Sequence, residues 1–587
     1  MEKWYVASKK ADFDKWAKEF SISPMLARII RNRDVTEERN VQKFLYGTLK
    51  DCYSPWLLYG MDRAVTEILK AIDENQKIRV IGDYDVDGIC SSYILTKGLK
   101  TMGAQVDTAI PHRIYDGYGL NEHLISEAKE EGIDLIITCD NGIAAAKQIE
   151  LANSLGMRVI VTDHHEVPYE MEQGIKKEVL PEALAVVDPK QERDTYPFSG
   201  ICGGVVAYKV MSALLEKTNH QELTSVMDEL LEFAAFATVC DVMELKDENR
   251  IIVKEGLQRM RHTKNPGLEA LMEVNGLAPE TLVGYHLGFV LGPCLNATGR
   301  LDTARRALSL LQCDDKNLAY DLASELKSLN EDRKNMTLMG VEQATDYVEA
   351  HELTKEPVMV IFLPMVHESL AGIIAGRIRE KYNKPVFILT RSEDGVKGSG
   401  RSIDGYHMYE KMTEVKEFFT KYGGHRLAAG LSMREEDIPA LQKALSERSN
   451  LTEEDFIPKV HIDIALPFAY ATRQLAEELL LLEPFGVGNP KPIFAQKNVC
   501  FCSARVFGKN RNVIKIGATT SECQRIELTY FGDVTAFEQR VCEKYGADSI
   551  ALLYQGKGSF TFQVAYQLGL NTFRGETSVQ YVITSYQ

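Results

Sequence analysis

Residues 81–90 read IGDYDVDGIC, with three carboxylates (Asp83, Asp85, Asp87) at alternate positions and a closing Gly88. The opening D-x-D-x-D-G is that of a calcium loop, which also needs a bidentate Glu at its twelfth position and a helix in front. Counting from Asp83, the twelfth position is Ile94, and the preceding KIRVI (77–81) is short, apolar and β-branched, the pattern of a buried strand. A calcium loop is excluded on both counts. Beyond Gly88, SSYILTKGLKTMG has helix-compatible spacing, so the acids lie on a strand-to-helix turn, where α/β sheets place their ligands.

Outward from this turn, short apolar runs (KIRVI, AQVDTAI, DLIIT, MRVIV, ALAVV) alternate with helix-like stretches up to about residue 190, the signature of βαβ units and a parallel sheet. The first 70 residues have helical spacing (MLARIIRNR, VQKFLYGTL, MDRAVTEILKAI), and about 200–350 read as helices broken at NPG and LGPCLNATG. A second α/β unit follows: PVMVIFL, the helix SLAGIIAGRIREKY, KPVFIL, GVKGSGRS and YGGHRLAAG. After about 455 come a helix, TRQLAEELLLLEPFG, and strand-like runs FCSARVF, NVIKIGA, QRIELTYF, SIALLYQG, FTFQVAYQL and VQYVIT, which suggest a small barrel.

At 587 residues the chain is too long for one core. No apolar run reaches membrane-spanning length, MEKWYVASKKADFDKW lacks a signal-peptide pattern, and the eleven scattered cysteines form no CxxC pair, so a cytoplasmic protein with reduced thiols is expected. Lys and Arg number 68 against 84 Asp and Glu, a net charge of −16. That balance excludes a general nucleic-acid binder; any such site must be local, lined by basic residues or by bound cations.

What lies just past each predicted strand carries the chemistry. After KIRVI come Asp83, Asp85 and Asp87; after the 104–110 strand, His112 and Arg113; after DLIIT, CDNG with Asp140; after MRVIV, TDHHE with Asp163, His164 and His165. Parallel strands end on one edge, so these side chains converge, and FAAFATVCDVM returns Asp241 to the same crevice. Taken singly, an acidic turn is usually solvated surface, and DHH could be a capping Asp with two surface histidines. Together they pose a charge problem: gathered carboxylates repel or protonate unless a cation neutralises them. Oxygen-rich ligation with an imidazole favours Mn2+ or Mg2+ over zinc, and there are enough carboxylates for two ions in phosphoester hydrolysis.

DYDVDG, PHR with DGYG, CDNG, TDHHE and ATVCDVM, in this order, resemble the DHH phosphoesterase superfamily; GSGRS and YGGHRLAAG resemble its associated C-terminal domain. The helical arm, NATGRL and LEPFGVGNPKPIFA narrow the likeness to RecJ-type exonucleases, which degrade single-stranded DNA from the 5′ end. The resemblance implies an α/β fold: a parallel-sheet DHH domain (71–250) after a helical arm (1–70), connecting helices (251–350), a second α/β, DHH-associated domain (351–452) and a C-terminal OB-like β-barrel (453–587). By motif it makes Asp85, Asp87, Asp140, His164 and Asp241 metal ligands with Asp140 bridging, and Asp83 and Asp163 carboxylates that orient them. His165 would face the scissile phosphate, His112 would orient ligands or touch substrate, and Arg113, Arg300, Ser399, Arg401 and His425 would hold the 5′ phosphate and its surroundings. Gly423 and Gly424 fit a plain turn as well as a phosphate contact.

The same resemblance implies Mn2+ or Mg2+, mononucleotide release in recombination and repair, single-stranded DNA as substrate and a helicase or single-strand-binding protein as partner. In the barrel, Arg505, Lys509, Arg511 and Lys515 with Phe507 and Tyr530 could grip a strand, though solvated charges and core aromatics fit the same pattern, and Arg31 and Arg33 could be plain surface. Ser369 in VHESLAG is expected to cap a helix. Two other functions fit the superfamily: a phosphodiesterase for short oligonucleotides or cyclic dinucleotides, and a non-catalytic DNA-binding scaffold. A pyrophosphatase of this superfamily would carry His where Ile81 stands, and a scaffold would have lost ligands that are all present here.

Overall fold

The computed structural model describes every residue except Met1, Ile114, Gln173, Glu393, Asp394, Lys509, Asn510 and Arg574. It divides into two compact units, one of residues 52–243 with 252–457, the other of 1–51, 244–251 and 458–587.

In the first unit the predicted βαβ pattern becomes a five-stranded parallel sheet in the order Gln105–Ala109, Lys77–Ile81, Leu135–Cys139, Arg158–Thr162, Ala185–Val187. Leu135–Cys139 is buried at all five positions, which is why its sequence is a continuous apolar run rather than an alternation. Helices Val86–Thr101, Gly203–Thr218 and Gln221–Cys240 pack on one another, and Val86–Thr101 is buried almost all round. A 35-residue helix, Lys316–Ala350, packs on Pro266–Val274, Gly292–Leu301 and Ala371–Tyr382, linking this domain to the second α/β domain. There the sheet order is Phe419–Gly424, Ala428–Met433, Gly395–Arg401, Val386–Ser392, Met359–Phe362; the last two strands are parallel and the rest antiparallel.

The second unit has one core. Leu26, Ile30, Phe44 and Leu45 of the N-terminal helices are buried in the same cluster as Phe494, Phe501, Phe562 and Tyr566 of the C-terminal strands. Those strands, Phe494–Phe507, Val513–Thr519, Arg525–Phe531, Glu576–Tyr586 and Phe560–Phe573, close on themselves as a five-stranded barrel. Buried Arg250 donates to the carbonyls of Phe44, Leu481, Leu482, Glu483 and Pro484, tying the arm to LEPFG.

Four local expectations change. SIALLYQG is helical (Ser549–Tyr554), a short apolar run whose period does not separate strand from helix. LGPCLNATG is no break: Pro293 sits in the first turn of helix Gly292–Leu301, where its missing N–H is not needed. Ser369 lies inside a 3-10 turn, and His367 caps it by accepting from the Ser369 N–H. Arg33 is buried, with Nη1 2.6 Å from Asp463 Oδ1. The strand Lys3–Val6, paired in parallel with Lys459–Ile462, was not expected.

Candidate metal centre and phosphate cleft

The parallel strands end on one edge, and each turn places an acid for a local reason. Asp85 caps helix Val86–Thr101, its Oδ1 accepting from the N–H groups of Asp87 (2.9 Å) and Gly88 (3.1 Å). Gly88 is required because a Cβ there would lie 2.4 Å from the Asp83 carbonyl oxygen. Asp87 is gripped from below: the N–H groups of Gly203 and Gly204 donate to its two oxygens at 2.8 and 2.7 Å. A Cβ on Gly203 would stand 2.7 Å from the Asp140 Cβ, so this helix start must be glycine to come so close.

Asp140 follows its strand in the left-handed region (φ 59°), which Asp tolerates better than most residues. Asn141 fastens that turn by donating to the Ile81 and Cys139 carbonyls and accepting from the Leu120 N–H. Asp163 accepts from the Ile143 N–H at 2.9 Å and from the His164 N–H at 2.7 Å. The result is compact: His164 Nε2 stands 3.1 Å from Asp140, 3.4 Å from Asp87 and 3.7 Å from Asp241. Three overlapping triads, Asp140/His164/His165, Asp87/His164/Asp241 and Asp83/Asp85/Asp140, bring ligand atoms within 4.8 Å of one another.

Burial and the neighbouring carboxylates push Asp140 and Asp83 well above the usual carboxylate range, Asp85 upward, and Asp241 up to about 8. His164 is lowered by burial and so held neutral, the form in which imidazole binds metal. Asp83 Oδ1 and His164 Nδ1 are buried without a hydrogen-bond partner. A rim of acids that cannot all ionise alone, with a neutral imidazole among them, fits one or two divalent cations.

His165 differs. Burial lowers it, but the 2.7 Å hydrogen bond from Nδ1 to Asp163 and that carboxylate's charge outweigh burial and leave it at about 9. Asp163 in turn is raised by burial and more than compensated by His165 and the Ile143 N–H, so it lies below its ordinary value. Tyr118 completes the group: its hydroxyl donates to the Asp140 carbonyl at 2.8 Å and its oxygen lies 3.2 Å from His165 Nε2.

Eight expected residues therefore meet at the rim: Asp83, Asp85, Asp87, Asp140, Asp163, His164, His165 and Asp241. The His112 ring lies tilted against Tyr115 at 4.6 Å. The sequence reading missed three contributors besides Tyr118. Gly203 and Gly204 were visible only as a pair opening a helix. Asp188 follows the fifth strand, so the rule that found the other acids applied to it; burial and Asp163 push it up to about 7, and its Oδ2 is a further buried orphan.

The arginines form a second cluster. A cleft of about 450 Å3 is lined by Tyr84, Arg113, Ser369, Ser399, Lys421 and Gly423 among others. The Arg113 guanidinium lies over the Tyr84 ring at 4.8 Å, and Arg300 donates to the Ser369 carbonyl at 2.7 Å. Arg401 lies at the start of helix Ala371–Tyr382, where a Cβ on Gly372 would be 2.9 Å from its Nη2 and 3.5 Å from Ser399 Oγ. Burial, then the charges of Arg113, Arg333 and Arg401, pull Arg300 down to about 10. Gly423 and Gly424 end a strand rather than make a plain turn. His425 lines a different cavity, of about 560 Å3, with Tyr118, Asp163, His165 and Lys190.

In the barrel, Arg505 and Phe507 are exposed, Lys515 pairs with Glu527, and Tyr530 packs edge-on against Tyr586 as part of the core. Lys509 lies outside the described residues.

Family models match in three segments: DHH family, N-terminal domain, over 77–238; DHHA1 domain over 355–450; and RecJ OB domain over 462–585. The single-stranded-DNA-specific exonuclease RecJ of Salmonella typhimurium is 32% identical over 585 residues, covering 96% of this chain and 95% of that protein. The chain belongs to the RecJ family. The RecJ of Bacillus subtilis is 36% identical over 502 residues, 85% of this chain but 62% of its own length. The crystal structure of RecJ from Thermus thermophilus in complex with Mn2+ is similar with a TM-score of 0.79 and 26% identity, over 100% of this chain and 79% of that one; the Mg2+ complex gives 0.75 and 25% over 100% and 78%. The α/β DHH and DHHA1 domains and the OB domain of this RecJ-family chain thus match both in sequence and in fold. Among the described residues no helix is long and apolar enough to cross a membrane.

Proposed function

We propose that the protein is a Mn2+- or Mg2+-dependent exonuclease that hydrolyses single-stranded DNA from its 5′ end to 5′-mononucleotides. The observation that carries this reading is the pairing of two like-charge clusters in one unit: an acidic rim that needs divalent cations and an arginine cleft that needs a phosphate. Single-stranded-DNA-specific exonuclease is the printed name of relatives matched over nearly the whole chain, and a related structure was solved with either ion.

Asp85, Asp87, Asp140, His164 and Asp241 would hold the cations, with Asp83 and Asp163 fixing ligands around them. A divalent ion in such a site supplies Lewis acidity, polarising phosphoryl oxygens and making a water acidic enough to attack at neutral pH. Arg113, Arg300, Ser399 and Arg401 hold the terminal 5′ phosphate; guanidinium forks suit it, and arginine keeps its charge where lysine would not. As water oxygen bonds to phosphorus, the bond to the 3′ oxygen of the first nucleotide breaks, and that oxygen takes a proton. His165, held charged by Asp163, would supply it. The shortened strand again carries a 5′ phosphate, the ligand of the arginine cleft. A helicase or single-strand-binding protein that frees the 5′ strand is the partner class this activity calls for, and a cytoplasmic location goes with that substrate.

The test is release from 5′-labelled single strands, 3′-labelled strands and blunt duplex, with Mn2+ and with chelator. Cation-dependent release of label first from the 5′ end, with duplex spared, is expected. Release beginning at 3′ ends, or equal degradation of duplex, overturns the assignment.

A further inference from the structure

Helix Gln221–Cys240 delivers Asp241 to the acidic rim, and the next residue is unusual: Val242 has φ 59° and is 64% exposed. A β-branched residue is strained in the left-handed region, and such strain persists where the surroundings impose it. Against the end of this helix packs a π-helical turn, Leu287–Leu291; Cys240 Sγ donates to the Leu287 carbonyl at 3.5 Å, and a Cβ on Gly288 would lie 3.5 Å from Val239. Single π turns within helical stretches concentrate at functional sites. From this turn and the residues before it project Tyr285 and Phe289, 61% and 70% exposed, one helical turn apart, their ring centroids 5.0 Å from each other and their planes within 19°. Two large rings stacked on each other in solvent bury little in any core; their arrangement presents a π face for a third planar group.

We propose that Tyr285 and Phe289 form a stacking ledge for unpaired nucleobases of the substrate strand beside the acidic rim. This deepens the single-strand exonuclease reading and rests on it. The occupant follows from place and chemistry: the ledge adjoins the helix end that carries Asp241, its rings are nearly parallel, and uncharged aromatics stack with any base, as a sequence-tolerant exonuclease requires. A base inside a duplex has both faces covered by its neighbours, so the ledge offers contact only to an unpaired strand. It is unlike the arginine cleft, which reads phosphate and ignores bases.

The experiment uses the full chain with Mn2+ and a 5′-phosphorylated oligonucleotide, unmodified or carrying one abasic residue at successive positions from the 5′ end. Two variants are compared with the wild type: Tyr285→Ala/Phe289→Ala, and Tyr285→Leu/Phe289→Leu, which keeps apolar bulk in the turn without a π face. Both are expected to raise KM on the order of tenfold on the unmodified strand. At one or two positions, abasic substitution should raise the wild-type KM by a similar factor and leave the variants unmoved, since the lost base and the lost rings belong to the same contact. Phe289→Trp should restore most of the affinity lost in Phe289→Ala. If the penalties of variant and abasic residue multiply at every position, or the leucine variant binds as the wild type does, the ledge is refuted while the exonuclease reading stands. A wild-type chain that degrades no single strand refutes that reading first.

Discussion

The acidic rim and the arginine cleft lie in the same unit and are built on opposite principles. The rim gathers carboxylates that can shed charge: burial and mutual repulsion raise Asp83, Asp85, Asp140 and Asp241, so protons can stand in for a missing cation. The cleft gathers guanidinium groups that cannot; even pulled down to about 10, Arg300 stays charged at neutral pH. It is held by carbonyl oxygens, as at Ser369, and by the Tyr84 ring under Arg113. A site that must bind and keep cations can be made of groups with a neutral form, whereas a site that must seize and release an anion with every turnover needs charge that is always present.

This contrast can be broken most sharply at Asp140, the acid shared by two of the three triads. Asp140→Asn should lower kcat/KM on single strands by at least on the order of a thousandfold, while the melting temperature in chelator holds or rises because a buried carboxyl that must take up a proton on folding has gone. Residual activity near the wild-type level would remove Asp140 from the centre. Next, Arg401→Ala should lower kcat/KM on 5′-phosphorylated strands by roughly ten- to a hundredfold, the range of a charge-assisted hydrogen bond, and barely touch strands with a 5′ hydroxyl. Equal loss on both would make Arg401 a structural residue.

The mildest test asks what a buried acid does away from any cation site. Glu232 accepts from Thr263 Oγ1 at 2.6 Å, and burial raises it to about 7. Between its ordinary value near 4.5 and about 7 the folded state binds more protons than the unfolded one, so stability falls as pH rises through that window. Glu232→Gln should therefore stabilise the protein by about 3 kcal/mol above pH 7 and by little below pH 4.5. Denaturant unfolding at pH 4.5 and pH 8 checks this; a gain independent of pH would place the effect in packing instead.

How far the sequence could be read depended on whether a local pattern or a distant contact made the feature. The five parallel strands were legible because each is a short apolar run between helical stretches, and the acids were legible because a parallel sheet sends all its strand ends to one edge. Asp188 obeyed the same rule, standing directly after ALAVV, and went unread because no paired acid or histidine beside it marks a motif. Gly203 and Gly204 matter through Asp87, more than a hundred residues earlier in the chain, and no local pattern announces that contact. The same holds for strand Lys3–Val6, whose partner is Lys459–Ile462. Where the period was ambiguous, as in SIALLYQG, an apolar run was given to the wrong element, and where glycine and proline mark a break, LGPCLNATG turned out to begin a helix.

Mn2+ titration of the full chain, followed by electron paramagnetic resonance of the free ion at neutral pH, addresses the cation requirement of the acidic rim most directly. Two ions bound per wild-type chain, with binding weakened or lost in Asp140→Asn, is the predicted result. A wild-type chain that leaves all the Mn2+ free, or an Asp140→Asn chain that binds it equally well, would contradict a metal centre at the strand ends.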